Sequence, residues 1–365
     1  MSNATMRVAI LSSACCIHTR KWCNGLAERG IEVNLISQQI PMEGYHKDVI
    51  FHSLPFKGAK GYILNILALR KIIKKIKADV LNVHYASGYG TLANLAGLRD
   101  YIISVWGSDV YDFPASSTLK KKLITANLNK ASIICSTSEV MGHHVKNYFN
   151  LRSGLDIEIT PFGVDIDKFK PDKIKKENVI HIGTVKTLRP KYGIDLLIKA
   201  FSTLVNDMGM KNIRLDIAGV GYLKDELVTL TKELKIEDKV KFWGWVENNE
   251  VPLFLNKLDV YVAPSTLDSE SFGVAIVEAS SCGVPVIVTN VGGLPEVVIA
   301  NVTGIVVPPN DYQAISSALR KLLSAPELAK NMGDEGRKHV LNKYSWNKCV
   351  DKMIAVYKRV LEGNI

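Results

Sequence analysis

The feature that most constrains the fold of this chain is a regular alternation of short apolar segments with helical segments. Runs such as Arg7–Ser12, Val80–His84 and Tyr101–Val105 are rich in β-forming residues, and segments of helical spacing such as Lys21–Arg29 separate them. Short apolar strands separated by helices are typical of a parallel, doubly wound sheet. The sequence therefore predicts an α/β fold in which ligands bind beyond the carboxyl ends of the strands.

The alternation is interrupted once and then starts again. Turn-forming residues at Thr160–Asp165 and a polar, lysine-rich stretch at Pro171–Asn178 precede new strands at Val179–Ile182 and Arg214–Ala218. A chain of 365 residues is also longer than one hydrophobic core usually supports. We therefore predict two doubly wound domains rather than one.

The predicted domains have similar sizes. The first covers residues 1–165 and the second covers residues 166–365, and the last helix, at about 345–365, is expected to pack back on the first domain. The two domains are expected to face each other across a cleft, which is a preferred place for a ligand.

The composition is that of an ordinary globular protein, with 47% hydrophobic and 22% charged residues. No apolar run reaches the roughly 18 residues that indicate a membrane span, and the first residues do not resemble a signal peptide. The six cysteines lack a Cys-x-x-Cys pair, which favours reduced thiols and no metal site. We therefore expect a cytoplasmic protein.

A net charge of +10 favours an anionic partner, either a lipid surface, a nucleic acid or a phosphorylated substrate. The chain has no zinc finger, aromatic RNA-binding motif or arginine-rich arm, so nucleic acid is not expected. The segment Lys57–Lys77 carries an apolar stripe flanked by lysines. It is compatible with a helix that lies on anionic lipid at the inner face of the membrane. It is equally compatible with a helix that packs on the sheet with its lysines outward.

Two glutamates, Glu270 and Glu278, flank the start of a predicted helix in the second half of the chain. The small residues Ser271 and Gly273 open this helix, so its free N–H groups can approach an anion closely. Paired carboxylates beside such a helix start suit a sugar on one side and a phosphate on the other. An ordinary surface helix has the same spacing, so the pair depends on its context.

That context is a series of motifs in a fixed order. They are Pro161-x-Gly163-Val164-Asp165, Gly183 followed by Lys191-x-Gly193, Gly219-x-Gly221, Phe242-x-Gly244-x-Val246, the Glu270/Glu278 pair and Gly292-Gly293-x-Pro295-Glu296. In this order the chain resembles the retaining glycosyltransferases of family 4, which have two Rossmann-like domains in the GT-B architecture. The resemblance covers nearly the whole chain and is densest from Pro161 to Pro309.

The resemblance implies transfer of a hexose or N-acetylhexosamine from a nucleoside-diphosphate sugar, with a UDP-sugar favoured. The acceptor would be a hydroxyl of a glycan or a lipid-linked molecule in polysaccharide, glycolipid or cell-envelope biosynthesis. Such enzymes are drawn without a protein nucleophile, so the protein contributes positioning and charge stabilisation. Neither a metal nor another cofactor is expected, because cations and amides can neutralise the diphosphate.

The resemblance also implies roles for residues of the second domain. Glu278 would hold the ribose hydroxyls and Glu270 the donor sugar, and two carboxylate oxygens suit a vicinal diol. The full set of predicted donor-binding residues is Gly183, Lys186, Arg189, Lys191, Gly219, Gly221, Trp243, Gly244, Val246, Glu270, Ser271, Phe272, Gly273, Val274 and Glu278. Thr184 occupies the place of a usual arginine, so whether Lys186 or Arg189 takes that role stays open.

The first domain departs further from the family pattern. Its first loop lacks the usual glycine pair, and Trp106 replaces a usual histidine ahead of Gly107 and Asp109. We predict that His18, His84, Trp106 and Asp109 bind the acceptor, with Trp106 stacking on a sugar or His84 supplying the polar contact. The predicted catalytic residues are Glu270, Asp109, Lys191, Arg189 and His84.

Other function classes share this fold. A sugar-nucleotide 2-epimerase has the same two domains, whereas a phosphorylase needs a pyridoxal lysine and a much longer chain. A catalytically silent nucleotide-sugar-binding subunit and a GDP-mannose-dependent mannosyltransferase also fit the motifs. Release of free sugar from a nucleotide sugar distinguishes a transferase from the silent subunit.

Overall fold

The computed structural model describes residues 5–172 and 179–363, and the chain divides into two compact units. Unit 1 comprises Met1–Phe162 and Trp346–Ile365, and unit 2 comprises Gly163–Ser345. The division between the units lies three residues before the predicted boundary at 165/166. Residues 173–178 of the predicted linker lie outside the described residues.

Unit 1 is built on a parallel sheet of seven strands in the order β3-β2-β1-β4-β5-β6-β7. The strands are β1 (Arg7–Leu11), β2 (Glu32–Ser37), β3 (Ile50–Ser53), β4 (Val80–His84), β5 (Tyr101–Val105), β6 (Ala131–Ser136) and β7 (Asp156–Ile159). The central strands are fully buried, as expected for a parallel sheet that helices cover on both faces. The last strand, β7, lies at the edge and is absent from the sequence prediction, because half of its four residues are acidic.

Helices cover the sheet of unit 1. They are α1 (Ile17–Ala27), α2 (Gly58–Leu64), α3 (Ile66–Ile76), α4 (Gly88–Leu95), α5 (Asp112–Ala115), α6 (Thr118–Leu128), α7 (Glu139–Tyr148) and α14 (Trp346–Leu361). The segment Lys57–Lys77 forms two helices rather than the single helix expected from its sequence, since the chain turns at Asn65 between α2 and α3. The Asn65 side-chain amide accepts from Phe56 N–H at 3.0 Å and donates to Phe56 C=O at 2.7 Å. These two bonds join the residue that follows α2 to the chain that precedes it.

Helix α14 belongs to unit 1 although unit 2 precedes it in the chain. The amide of Asn82 in β4 donates to the hydroxyl of Tyr357 at 2.8 Å. The indole ring of Trp346 lies 5.0 Å from that of Trp22 in α1. Val350, Met353, Val356 and Tyr357 are all nearly fully buried, so this helix contributes an apolar face to the core.

Unit 2 has a parallel sheet of six strands in the order β10-β9-β8-β11-β12-β13. The strands are β8 (Ile180–Val185), β9 (Ile213–Ala218), β10 (Val240–Gly244), β11 (Val260–Ala263), β12 (Val286–Thr289) and β13 (Gly304–Val307). The helices are α8 (Ile194–Ser202), α9 (Lys224–Glu233), α10 (Val251–Lys257), α11 (Val274–Ser281), α12 (Tyr312–Leu323) and α13 (Pro326–Lys343). Both units therefore have the predicted doubly wound α/β architecture.

Candidate functional site

The sheet of unit 2 has a topological switch point between β8 and β11. From β8 the chain proceeds to β9 and β10 and then returns to β11 on the other side of β8. In doubly wound sheets, ligands bind beyond the carboxyl ends of the strands at such a point. Lys186 directly follows β8, and Glu270 lies in the loop that follows β11. These two predicted donor residues therefore lie where the topology favours a ligand site.

Lys186 and Glu270 form an ion pair in which Nζ lies 2.8 Å from Oε1. Their side chains are only 10% and 12% exposed. Burial by itself lowers the pKa of Lys186, but the Glu270 carboxylate acts in the opposite direction and the net shift is upward. Lys186 is therefore a charged ammonium that has exchanged most of its water for one carboxylate.

The other candidate cations occupy different environments. Thr184 is fully buried within β8, so it cannot present a polar group as an arginine at that place would. Arg189 is exposed and precedes the short 3-10 turn Pro190–Tyr192. Lys191 is half-buried in that turn. The geometry therefore gives the buried cationic position to Lys186 and leaves Arg189 at the surface.

Two tyrosines near Lys186 are absent from the sequence prediction. The ring centroid of Tyr192 lies 4.9 Å from Nζ of Lys186 and 5.0 Å from Nζ of Lys191. Tyr261 in β11 is fully buried, and its hydroxyl donates to Val185 C=O at 3.4 Å. Burial raises the pKa of Tyr261, and the Lys186 ammonium partly opposes this shift. Tyr192 occupies the unspecified position of the Lys191-x-Gly193 motif, and Tyr261 lies outside the motifs named above, so no sequence signal distinguishes either of them from other tyrosines.

Gly219 and Gly221, which we predicted as donor-binding residues, lie against the loop that follows β8. A Cβ atom on Gly219 would lie 1.8 Å from Lys186 C=O, and one on Gly221 would lie 2.2 Å from Leu188 C=O. The N–H of Leu188 also donates to Val220 C=O at 3.0 Å. The space beside both glycines is therefore filled by the loop Lys186–Leu188. Their role in the structure is to let that loop pack closely after β8.

Of the two glycines in the strands, Gly183 has a similar packing role, whereas a Cβ atom on Gly244 would meet open space. A Cβ atom on Gly183 in β8 would lie 2.6 Å from Cδ2 of Leu258. Gly244 at the end of β10 has φ +70°, and its carbonyl accepts from Gly219 N–H at 2.7 Å. Gly183 therefore lies within β8, and Gly244 lies at the carboxyl end of β10, on the side of the sheet where the donor site is predicted.

The side chain of Trp243 contacts other side chains of unit 2. Its Nε1 donates to Oδ1 of Asp216 at 2.7 Å, and Asp216 also contacts Nδ1 of His181 at 2.7 Å. The Lys241 ammonium lies 3.6 Å from the Trp243 ring centroid. The backbone of Trp243 and the half-buried Val246 remain candidates for the predicted contact with the donor.

The segment before α11 is tightly packed. Ser271, Phe272 and Glu278 are 8%, 3% and 8% exposed. Gly273 has φ +89° and ends the loop, and Val274 is the first residue of α11. Gly293 N–H donates to Glu270 C=O at 3.0 Å, which fixes the loop against the residues that follow β12. The structure therefore brings Glu270, the helix start and Glu278 together within unit 2, with Glu278 in the second turn of the helix.

In unit 1, the corresponding switch point lies between β1 and β4. His84 ends β4 and is 1% exposed, with Nδ1 3.1 Å from the Ser12 hydroxyl at the end of β1. His18 lies in the first turn of α1 and stacks on Phe162 with a centroid distance of 4.2 Å. Burial lowers the pKa of His18 to about 4 and that of His84 to about 3. Both imidazoles are therefore neutral near pH 7.

Trp106 is the centre of an aromatic cluster at this switch point. Its ring contacts His84 at 4.6 Å, Tyr85 at 4.8 Å, Phe162 at 5.4 Å and His18 at 5.8 Å between centroids. Tyr85, which the sequence prediction omits, has φ +68°, an unusual value for a residue other than glycine. The structure therefore brings the predicted acceptor residues His18, His84 and Trp106 together.

Asp109, which we predicted to bind the acceptor and to act in catalysis, is bound by backbone N–H groups of its own unit. It is 1% exposed. One carboxylate oxygen accepts from Ala86 N–H at 2.8 Å, and the other accepts from the N–H groups of Trp106 at 3.1 Å and Gly107 at 3.0 Å. Burial raises the pKa of Asp109, and these backbone donors oppose the shift. Asp109 thus links the loop after β4 to the loop after β5, and it holds the backbone of Trp106 in place.

Within residues 5–172 and 179–363, no three histidine, cysteine or acidic residues are grouped so that they could hold a metal ion. The six cysteines all carry free thiols.

Two family models match the chain. The model described as glycosyl transferases group 1 matches residues 165–339, and the model described as glycosyl transferase 4-like matches residues 7–138. The first covers the candidate site in unit 2, and the second covers His18, His84, Trp106 and Asp109.

Relatives support the same assignment. A GDP-mannose-dependent α-(1-6)-phosphatidylinositol monomannoside mannosyltransferase of Mycolicibacterium smegmatis is 30% identical over 273 residues, which are 70% of this chain and 69% of the relative. The N-acetyl-α-D-glucosaminyl L-malate synthase of Bacillus anthracis is 27% identical over 363 residues, covering 93% and 92% of the two chains.

A solved structure of HepE from Anabaena with UDP and glucose superposes with a TM-score of 0.80 at 16% identity. It covers 97% of this chain and 99% of its own. That likeness shows a shared fold, the GT-B fold of two Rossmann-like domains. With both family models and the relatives in agreement, the chain belongs to the glycosyl transferases group 1 family.

Proposed function

We propose that this glycosyltransferase moves a hexose or N-acetylhexosamine from a nucleoside-diphosphate sugar to a hydroxyl of a glycan or lipid-linked acceptor, with retention of configuration. The observation that carries the proposal is the buried Lys186–Glu270 pair at the switch point of unit 2. A nearly water-free ammonium beside a carboxylate can meet a diphosphate and a sugar hydroxyl at adjacent positions.

The donor would lie along the carboxyl edge of the unit 2 sheet. Glu278 would hold the ribose hydroxyls, and Glu270 would hold a hydroxyl of the transferred sugar. Lys186 and Lys191 would face the diphosphate, joined by the N–H groups at the start of α11, where Gly273 permits a close approach. Arg189, which is exposed, would act at the outer edge of the site.

The proposed chemistry needs no nucleophile from the protein. The acceptor oxygen bonds to C1 of the sugar on the face from which the diphosphate leaves, while the bond between C1 and the diphosphate oxygen breaks. The acceptor's hydroxyl proton passes to the departing diphosphate oxygen. The lysines stabilise the charge that develops on that leaving group, so we propose that transfer proceeds without a metal.

The acceptor would bind at the aromatic cluster of unit 1. Trp106 offers an aromatic ring for stacking on a sugar, and the neutral His18 and His84 can accept or donate a hydrogen bond near pH 7. Because His84 is 1% exposed, we expect the half-buried His18 to be the one that meets a hydroxyl directly. His84 would then hold Trp106 and His18 in place.

The donor nucleotide is the first point to test. We expect UDP to raise the melting temperature, by an amount equivalent to about 2.7 kcal/mol at 100 times its dissociation constant. GDP is the competing outcome, because one relative is named as GDP-mannose-dependent. Thermal shift with UDP, GDP and ADP, each with and without EDTA, distinguishes these cases. A response that requires a divalent cation would contradict the metal-free proposal.

The same assay tests the predicted role of Glu278. Glu278→Ala should weaken binding of the responsive nucleotide about tenfold or more, because the ribose loses its carboxylate partner. Wild-type affinity in this variant would refute the donor-site assignment.

A separate measurement tests the alternative of a silent binding subunit. Slow release of free sugar from the matching nucleotide sugar identifies a transferase. A protein that binds the nucleotide sugar but never releases sugar would be the silent subunit.

We further propose that unit 1 docks on an anionic lipid surface through the helices α2 and α3. The described part of the chain contains no helix with the length and hydropathy of a bilayer-spanning segment. Leu69 and Ile76 of α3 face the core, whereas Phe56, Ile63, Leu64 and Leu67 are 48–76% exposed. Exposed lysines surround these apolar residues at positions 57, 60, 71, 74 and 75. Exposed apolar side chains among lysines suit the interface of an anionic membrane.

We expect the protein to pellet with phosphatidylglycerol-containing vesicles at low salt and to be released at high salt. Leu67→Glu should abolish most of this binding, because it places a charge at the most exposed apolar position of the surface. Leu119→Glu is the matched control, since Leu119 is equally exposed beside Lys120 on another helix. Equal loss in both variants, or no binding at any salt, would contradict the proposal.

A further inference from the structure

The turn Pro190–Tyr192 after β8 is rigidly attached to the loop after β11. The N–H of Thr266 donates to Lys191 C=O at 2.8 Å. Gly193, which ends the turn, has φ +61°, and a Cβ atom there would lie 2.1 Å from Pro264 C=O. The backbone of Tyr192 is therefore held by two neighbouring strands of the sheet at the switch point.

The ring of Tyr192 contacts two ammonium groups at once. Nζ of Lys186 and Nζ of Lys191 lie 4.9 Å and 5.0 Å from its centroid. Each distance is within the range of a cation–π interaction, which contributes about 0.5–2 kcal/mol depending on desolvation. Of the two lysines, only Lys186 is paired with Glu270, at 2.8 Å. One ring thus gathers two positive charges beside one carboxylate, an arrangement that carries an excess of positive charge.

Gathering like charges has a cost in Coulomb energy and in side-chain entropy. A lysine loses up to about 2 kcal/mol of rotamer entropy when it is held in one place. If a rigid ring holds both ammonium groups before the ligand arrives, that loss does not subtract from the binding free energy. The ligand that gains most is an anion with two adjacent charged groups, as in a diphosphate.

We propose that Tyr192 is a positioning residue for the diphosphate of the donor, acting by holding Lys186 and Lys191 against the two faces or edges of its ring. This inference rests on the proposed function, because it concerns the same donor. It concerns the aromatic ring and does not involve the phenol hydroxyl. Tyr192 makes no bond to the sugar in this role, so its effect should be on donor affinity rather than on turnover of the bound donor.

The test compares Tyr192→Leu with Tyr192→Phe, which keeps the ring. Binding of the nucleoside diphosphate identified by thermal shift is measured by calorimetry at two salt concentrations, beside binding of the matching nucleoside. We expect Tyr192→Leu to weaken diphosphate binding about tenfold, with a smaller salt dependence and unchanged nucleoside affinity. Tyr192→Phe should remain within about twofold of the wild type. In donor hydrolysis, KM should rise while kcat changes little.

The nucleoside measurement also shows whether a variant is folded. If Tyr192→Leu loses nucleoside binding as well, Tyr192→Met takes its place in the same comparison. Tyr312→Leu, a change of the same kind at the first residue of α12, is the control. Wild-type diphosphate affinity in Tyr192→Leu, or an equal loss of affinity in Tyr192→Phe, overturns the role of Tyr192 and leaves the proposed function standing. A wild-type protein that binds no nucleoside diphosphate overturns the proposed function as well.

Discussion

Lys186→Met is expected to weaken nucleoside diphosphate binding about 100-fold and to lower sugar release about 1,000-fold. Lys186 is the buried cation next to the switch point, paired with Glu270 at 2.8 Å. Removing one member of a buried, hydrogen-bonded charge pair costs about 2–5 kcal/mol. Here the remaining Glu270 carboxylate would also repel the incoming diphosphate. The measurements are calorimetric affinity for the diphosphate and the rate of donor hydrolysis.

Arg189→Met is the matched control for this experiment. Both side chains are long cations in the same loop after β8, but Arg189 is exposed and lies at the start of the 3-10 turn. An exposed cation in water contributes about 1 kcal/mol or less to an ionic interaction. We therefore expect a loss of about fivefold or less in Arg189→Met. A larger loss in this variant than in Lys186→Met would move the arginine role of the family to Arg189.

The stability of the two variants should also differ. Glu270 is only 12% exposed, so Lys186→Met leaves a carboxylate with little water and without its cation. The ligand-free Lys186→Met protein should melt at a lower temperature than the wild type, and Arg189→Met should not. This difference is visible without any donor. It therefore separates the structural role of the pair from its role in binding.

The strand and helix pattern was sufficient to predict both sheets, because parallel strands buried on both faces are continuous apolar runs. It was insufficient where the local sequence is ambiguous. The edge strand Asp156–Ile159 is half acidic, and the break at Asn65 depends on a side-chain bond to Phe56 that is nine residues away. The spacing of apolar residues shows neither that an acidic segment pairs at the edge of a sheet nor that a side chain bonds to a residue nine positions away.

The candidate site was predictable at the level of segments but not of side-chain direction. Motif order placed Lys186, Glu270 and the start of α11 at one edge of the sheet, and the structure brings them together. The same motifs suggested that Gly219 contacts the nucleotide and Asp109 the acceptor. In the structure, a loop carbonyl fills the space beside Gly219, and three backbone donors bind Asp109. Which atoms a loop residue meets depends on tertiary packing, which a motif does not encode.

The change with the most unusual expected signature is Glu270→Gln. It should bind the nucleoside diphosphate about tenfold more tightly than the wild type, while sugar release falls at least 100-fold. In the ligand-free protein the Glu270 carboxylate occupies the Lys186 ammonium, so it competes with an incoming diphosphate. Glutamine removes the competing charge. It also removes the carboxylate that we propose for the donor sugar, so affinity for the diphosphate and transfer of the sugar should change in opposite directions.

The pH dependence of Glu270→Gln provides a second signature. Burial lowers the pKa of Lys186, and it is mainly Glu270 that reverses the shift in the wild type. Without Glu270 the pKa of Lys186 should fall, so that the ammonium loses its proton as the pH rises. Diphosphate binding by the variant should therefore weaken between pH 7 and pH 10, whereas binding by the wild type should not weaken in the same window.

The ligand-free Glu270→Gln protein should be less stable than the wild type by about 3 kcal/mol, because a buried ammonium has lost its partner. The diphosphate should restore this stability, and the double variant Lys186→Met/Glu270→Gln should restore it without a ligand. Weaker diphosphate binding in Glu270→Gln, comparable to that in Lys186→Met, would mean that Glu270 orients Lys186 for the ligand and does not compete with it. In that case the ion pair would act as one preformed unit, and diphosphate affinity and sugar release would both fall in Glu270→Gln.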